Sequence, residues 1–409
     1  MNSSFCILPW VGVHYGCDNI IYPCCYMNQK GFKNYSLGSV KDGIEGAWNS
    51  EKLKELRLKM LKGEHIDACS GCYNREKLGY ESFRLWKNKN NLHNMHLVSQ
   101  TKPDGSLDFK GFKYFEFKIS NKCNLKCRIC DPGSSNSWYK EQSIFGTNFT
   151  KVLNPFETLE DYKKEFFKHI DSIDMIYFFG GEPFLIDEHY ETLKWLIENN
   201  KTDIEIHYST NLTKLNYKNY NIFDLWKHFK KIVLIASLDG SEQRAEYMRK
   251  NCNWADTVKI REKLLEVPNV DFYIMSSICV FNLTHIFDFH QEWIARNFVK
   301  PENIIFNMVF FPDHLSYNVI TKEIKNIFLK KANEHIMFLS NYISETTQNT
   351  IKTENSIYKI KQIIKEIETI EPDKNKIKDF AFKTIMLDKA RKESFLSIFP
   401  ELESFLKYD

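Results

Sequence analysis

From residue 110 onward, short runs rich in β-branched and aromatic residues alternate with amphipathic stretches. Six runs, 113–120, 172–179, 203–209, 231–238, 270–280 and 303–311, read as strands, because apolar runs of this length bounded by polar or turn residues suit a sheet buried on both faces. The stretches 188–198 and 241–265 carry apolar residues at helical spacing and are long enough to be crossover helices. Strand–helix–strand alternation is the rhythm of a parallel sheet. Six repeats predict an α/β fold, a partial (β/α)6 TIM-like barrel over 110–312, in which chemistry gathers where strands end and loops begin. Past residue 318 the pattern becomes Lys/Glu/Ile/Leu-rich helix, with Ile324, Phe328 and Ala332 on one face and Ile360, Ile363, Ile364 and Ile367 at helical spacing further on. A helical region over 318–409, with a linker at 372–378, is expected to cap the barrel.

Composition narrows the class. The chain of 409 residues is 43% hydrophobic and 15% aromatic, enough for a large core. A formal net charge of +3 offers no basic footprint, so a nucleic-acid partner is not expected. No basic start followed by an apolar stretch opens the chain, and no segment reaches the roughly 18 apolar residues of a membrane span. A cytoplasmic protein with no membrane partner is expected. Eleven cysteines in such a chain argue for metal ligation over disulfides.

The cysteines fall into patterns. Cys123, Cys127 and Cys130 form C-x3-C-x2-C just after the first barrel strand. Three thiolates hold three irons of a [4Fe-4S] cube and leave the fourth open for chemistry, whereas a structural zinc site takes four protein ligands. Gly180-Gly181-Glu182-Pro183 closes the second strand; its glycines admit close backbone approach and its carboxylate can accept from an ammonium. Ser209-Thr210-Asn211 ends the third strand, and Ser237-Leu238-Asp239-Gly240 the fourth.

This set resembles the radical S-adenosylmethionine (SAM) superfamily, in which the amino and carboxylate groups of SAM occupy the open iron. The resemblance assigns Gly180, Gly181, Glu182 and Pro183 to the methionyl amino group. It assigns Ser209, Asn211, Ser237 and Asp239 to the ribose and methionine carboxylate, and Arg249 to that carboxylate. Asn282, after the fifth strand, stands where the family often has a polar group near the adenosine. One position departs: the family usually has an aromatic residue before the third cysteine, packed near adenine, and here Ile129 stands there.

A second set precedes the barrel, within 1–90. Cys6, Cys24, Cys69 and Cys72, with Asn19 five residues before Cys24, are similar to the SPASM/twitch pattern C-x(9-15)-G-x4-C with a later C-x2-C, Asn19 replacing the Gly. The resemblance implies an auxiliary [4Fe-4S] cluster closed by four thiolates, in the single-cluster twitch form, at the N-terminal side of the barrel. A zinc ribbon on the same four cysteines is the alternative, and Cys25 can exchange with Cys24 as a ligand. Of the remaining thiols, Cys279 ends the fifth strand, where a small core residue is the ordinary reading. His14, His207 and His314 stand without motif partners and read as structural.

The resemblance implies an enzyme that reductively cleaves SAM and takes a hydrogen from its substrate, fed by an external flavodoxin- or ferredoxin-type electron donor. Relatives act on peptide or protein side chains, the first expectation here with net oxidation, or on small sugars, nucleotides and amino-cyclitols. A cysteine module beginning near Met1 without a preceding leader-binding segment weighs against the peptide. An Fe-S electron carrier or regulator is the reading from another class; Gly180 to Pro183 and the Ser209 and Ser237 motifs would be idle in it. No residue that would deprotonate a substrate radical is identifiable.

Overall fold

The structure, a computed structural model, describes residues 3–28, 35–77, 79, 81–345 and 350–406. In chain order the strands are β1 (Gly12–Tyr15), β2 (Ile20–Tyr22), β3 (Gly38–Ser39), β4 (Tyr114–Phe117), β5 (Lys126–Cys127), β6 (Met175–Phe178), β7 (Glu205–Thr210), β8 (Asn216–Tyr217), β9 (Tyr220–Asn221), β10 (Ile232–Ser237), β11 (Arg249–Lys250), β12 (Val270–Ile278) and β13 (Ile304–Met308). The six runs read from hydrophobicity are β4, β6, β7, β10, β12 and β13. The fold is α/β with a predominantly parallel sheet, a cysteine-rich N-terminal module and a helical C-terminal region.

Two compact units divide the chain: Met1–Asn124 with Pro132–Thr210 and Leu215–Val233, and Leu125–Asp131 with Asn211–Lys214 and Leu234–Asp409. In the first, β4, β6 and β7 pair in parallel. The N-terminal module extends this sheet: β1 pairs with β4 in parallel, and β2 and β3 follow antiparallel. Strand β4 reads Tyr-Phe-Glu-Phe and is buried at every position, as a strand covered on both faces must be. Phe115 and Phe117 pack edge-on against Phe166, with ring centroids 5.0 and 4.7 Å apart.

Gly12 makes the added strand possible. A Cβ at this position would lie 2.0 Å from the carbonyl oxygen of Tyr114, so only glycine lets β1 approach β4. Gly12→Ala should force the strands apart and cost about 1–3 kcal/mol, the usual range for overpacking, read as a lower midpoint in denaturant unfolding.

In the second unit β12 and β13 pair in parallel and β5 pairs antiparallel with β11. The stretch 241–265, expected as one helix, is instead the helix Glu242–Met248, then β11, then the helix Trp254–Leu264. Asn251, at φ +77°, turns the chain, and the Asn253 side chain caps the next helix by accepting from Asp256 N. Helical spacing survives across the break, which is why the pattern alone hides it.

The C-terminal helices are Lys322–Glu345, Thr350–Thr369 and Lys374–Arg391. Ile324, Phe328, Ala332, Ile360, Ile363 and Ile367 are buried as their spacing predicts; Ile364 is half-buried. The expected linker at 372–378 is shorter, because Asp373 accepts from Asn375 N and Lys376 N and starts the helix at Lys374. No described helix is long and apolar enough to cross a membrane.

Candidate functional site

In the first unit Cys6 precedes the short helix Leu8–Val11, Cys24 follows β2, Cys69 ends the turn Asp67–Cys69, and Cys72 lies in the helix Ser70–Lys77. All four thiols line one cavity, walled by Leu8, Met27, Met60 and Phe83. Burial pushes all four thiols up; repulsion among Cys6, Cys24, Cys69 and Cys72 adds to this, while main-chain N–H groups of Leu8 and Arg84 oppose it. Bare thiols in this pocket stay protonated, so loading with a cationic metal centre must release protons. Among the described residues no three His, Cys, Asp or Glu side chains are close enough to hold a single metal ion. A closed set of four thiol donors around a common cavity fits a four-ligand iron-sulfur cluster. Cys25, the alternative to Cys24, is not among the residues lining this cavity; its main-chain N–H donates to Glu116 Oε2, 3.1 Å away.

The motif Gly180-Gly181-Glu182-Pro183 lies in the same unit as Cys123. Gly181 adopts φ +54°, and a Cβ there would meet the carbonyl oxygen of Lys122 at 2.4 Å. The Glu182 N–H donates to that carbonyl at 2.8 Å. Gly181 therefore backs directly onto the main chain one residue before Cys123, whose own N–H donates to Asn136 Oδ1 at 2.9 Å. Glu182 is fully buried, and its Oε1 accepts from Thr210 Oγ1 at 2.8 Å and from Phe184 N at 3.3 Å. Pro183 starts the turn that Glu182 caps. Ser209, expected beside the cofactor, shares a hydrogen bond with the Tyr177 hydroxyl at 2.6 Å, and alternation along β7 turns Thr210, its neighbour, toward Glu182.

In the second unit Cys130 N donates to Cys127 O at 3.0 Å, which closes the turn between them. Strand pairing sets Cys127 opposite Arg249. The Arg249 guanidinium donates to Cys127 Sγ at 3.7 Å and meets Asp239 Oδ2 at 2.6 Å. The hydrogen bond with Cys130 lowers the Cys127 thiol against burial, helped by Arg249, and the thiolate so favoured is the form that ligates iron. Burial opposes charge on Arg249, but Asp239 and the two thiols outweigh it.

Asp239 also accepts from Ser277 N at 2.7 Å. Asn211 Oδ1 accepts from Thr213 N at 3.1 Å, while Ile129 and Ser237 are half-buried. Asn282, expected near the adenosine, gives its amide to Asp239 O and Ser277 O at 3.1 and 3.0 Å and accepts from Cys279 N. Both its amide hydrogens serve the backbone. Cys279 is fully buried.

A polar row escaped the sequence reading. The strand registers align His14, Glu116, Tyr177 and His207 across β1, β4, β6 and β7, and residues in register share a face. Glu116 is buried, with Oε2 3.4 Å from His14 Nδ1. Burial pushes its carboxyl up, but His14, Lys87 and the Cys25 thiol together hold it below the usual carboxylate range. Lys87, on the helix Phe83–Asn90, ends 3.3 Å from the centre of the Tyr114 ring, and burial pulls its ammonium down to about 7. The available signal was a lone glutamate inside the aromatic run of β4.

Comparison with known proteins gives these geometries a family context. Residues 117–281 match the radical SAM superfamily, a span that holds Cys123, Cys127 and Cys130. Residues 6–73 match SPASM, an iron-sulfur cluster-binding domain, a span that holds Cys6, Cys24, Cys69 and Cys72. No curated protein matches the chain. Among solved structures, native anSMEcpe with bound AdoMet aligns over 57% of this chain and 62% of its own, at 17% identity and a TM-score of 0.40. The complex of native anSMEcpe with AdoMet and the Kp18Cys peptide aligns over 56% and 60%, at 17% identity and a TM-score of 0.38. The chain thus spans less than two thirds of the solved chains it resembles. It carries a radical SAM domain, whose cofactors are a [4Fe-4S] cluster and SAM, and at its N-terminal side an auxiliary iron-sulfur domain.

Proposed function

We propose that the protein is a radical SAM enzyme acting on a peptide or protein side chain with net oxidation, fed by a flavodoxin- or ferredoxin-type donor. The observation that carries the radical SAM part of this reading is that one matched domain holds the motif Cys123, Cys127 and Cys130 and the other the motif Cys6, Cys24, Cys69 and Cys72. Cys123, Cys127 and Cys130 hold the SAM-binding cluster, and Cys6, Cys24, Cys69 and Cys72 hold one auxiliary cluster of the twitch type. With SAM bound and an electron delivered, the centre held by Cys123, Cys127 and Cys130 would supply reductive cleavage of SAM for hydrogen abstraction, and the centre held by Cys6, Cys24, Cys69 and Cys72 would supply an electron acceptor.

The chain's own part is to bind and orient. Glu182, its Oε1 fixed by Thr210 and Phe184 N, offers its carboxylate to the SAM ammonium, with Gly180, Gly181 and Pro183 shaping the approach. Arg249, aligned by Asp239, takes the methionine carboxylate. Ser209, Asn211 and Ser237 are assigned to the ribose, and Ile129 to the adenine contact as an apolar branched side chain.

The test needs only SAM and a reductant. Anaerobically reconstituted protein with dithionite should form 5′-deoxyadenosine slowly without substrate; none at all would refute the enzyme reading. Glu182→Ala should weaken SAM binding by about 1–3 kcal/mol, the scale of a charge-assisted hydrogen bond. Glu182→Gln keeps an acceptor for Thr210 and Phe184 N, so it isolates the charge and should weaken SAM with little loss of stability. Unchanged affinity in both variants, by equilibrium binding, would remove Glu182 from the site.

A further inference from the structure

Arg128 lies inside the cysteine turn, between Cys127 and Ile129, and its side chain is 1% exposed. Its main-chain N–H donates to Met248 O at 2.8 Å, and its Nε donates to Tyr247 O at 3.3 Å. The guanidinium carbon sits 3.7 Å from the centre of the Tyr247 ring. Beyond the ring, Nη2 reaches Asp388 Oδ1 at 2.5 Å and Glu393 Oε2 at 2.6 Å. These carboxylates belong to the C-terminal region, outside both matched domains.

The two acids are held as firmly as they hold. Asp388 also accepts from the Tyr247 hydroxyl at 2.7 Å and from Phe395 N at 2.6 Å. Glu393 also meets Lys250 Nζ at 2.7 Å. Lys392, at φ +54°, reverses the chain after the helix Lys374–Arg391, and Glu393 N donates back to Asp388 O at 3.0 Å. Phe380 and Phe395 pack on Phe281, with centroids 5.3 and 6.0 Å away, while Phe399 packs on Tyr247 at 5.4 Å.

A buried ion cluster is poor value as mere stabilisation, since apolar residues of similar volume commonly serve a core as well or better. What this one does is geometric. Arg128 is fixed to the segment 247–250, which carries β11, and β11 sets Arg249 opposite Cys127. Lys250, on the same segment, is tied to the same Glu393. One network therefore grips both strands of the β5–β11 pair. Two cations face two carboxylates in it, so it brings no net charge to the turn.

We propose that the C-terminal segment 374–398 is a positioning element for the SAM-binding cysteine turn, acting through Arg128 on the register of Cys127 with Arg249. This rests on the assignment of Cys127 and Cys130 as cluster ligands. Asp388 and Glu393 are positioning residues that touch neither SAM nor iron.

The experiment uses the full chain, anaerobically reconstituted, as wild type, Glu393→Gln, Asp388→Asn/Glu393→Gln, Arg128→Lys and Arg128→Met, with SAM as the probe. Iron content, the electron paramagnetic resonance spectrum of the reduced protein with and without SAM, and the SAM dependence of 5′-deoxyadenosine formation are measured. The double variant should keep its auxiliary-cluster signal, lose the SAM-induced spectral change, and need about tenfold more SAM for half-maximal cleavage, the ratio that loss of a charged hydrogen bond corresponds to. Arg128→Lys, which keeps a cation without the planar fork, should fall between wild type and Arg128→Met. A soluble double variant with the wild-type SAM response overturns the proposal, as does equal loss of both clusters in folded protein. Where the double variant does not fold, Glu393→Gln decides: an unchanged half-saturating SAM concentration overturns it. Absence of any SAM-induced change in the wild type would instead refute the cluster assignment beneath it.

Discussion

Replacing Cys123, Cys127 and Cys130 together by alanine should lower the iron content from about eight to about four per chain and abolish 5′-deoxyadenosine formation. The loss is total because SAM chemistry requires an iron with a free coordination position, and only the three-thiol set leaves one. The four thiols around the Leu8, Met27, Met60 and Phe83 cavity lie elsewhere in the sequence and are untouched. The remaining iron should therefore show the spectrum of a fully ligated cluster that does not respond to SAM. Metal analysis with product chromatography checks this. Complete loss of iron would mean that the two sets do not fold or load independently, and zinc in place of the remaining iron would favour the zinc-ribbon alternative.

The complementary variant, Cys69→Ala with Cys72→Ala, should also lose about four irons but keep SAM cleavage with dithionite. Removing half of a four-ligand set leaves no closed cluster, while the turn containing Cys127 and Cys130 keeps Arg249 and Asp239 about it. With a peptide substrate the oxidised product should be absent even though 5′-deoxyadenosine still forms, because a net oxidation needs an acceptor for the second electron. Mass spectrometry of the peptide alongside 5′-deoxyadenosine quantitation separates the two effects. Full product without the auxiliary cluster would remove it from the reaction; parallel loss of cleavage and product in a folded variant would make its role structural.

Much of the α/β rhythm was open to reading because it is written locally. Buried parallel strands are near-continuous apolar runs; β6 and β10 come close to that, and β4, β7, β12 and β13 keep enough apolar and aromatic residues to read as strands despite Glu116, His207, Asp271 and Asn307. The three-cysteine motif was equally legible, since the spacing of thiols within a turn needs no knowledge of the rest of the chain; the four cysteines spread over residues 6–72 were legible only through their resemblance to a known pattern. The break at β11 was not. Residues 241–265 keep a helical pattern throughout, and the switch at Arg249 follows from pairing with Lys126 and Cys127, an energy that no local window contains. Ser209 and Thr210 show the same limit on a smaller scale: both are hydroxyl residues at a strand end, and only the pleat decides which one meets Glu182.

The amino-acid sequence by itself determined which candidate chemistry the chain carries: thiols in a three and a four, a glycine-rich acidic turn, and the strands these follow. Tertiary structure alone decided what surrounds that chemistry. Gly12 brings β1 against β4, so the cysteine-rich module joins the sheet and His14 falls in line with Glu116, Tyr177 and His207. Arg128 finds Asp388 across 260 residues of chain. Strand register and long-range ion pairs depend on which segments meet after the chain has collapsed. Those meetings are set by the summed burial of the whole core, and no short stretch of residues records that sum.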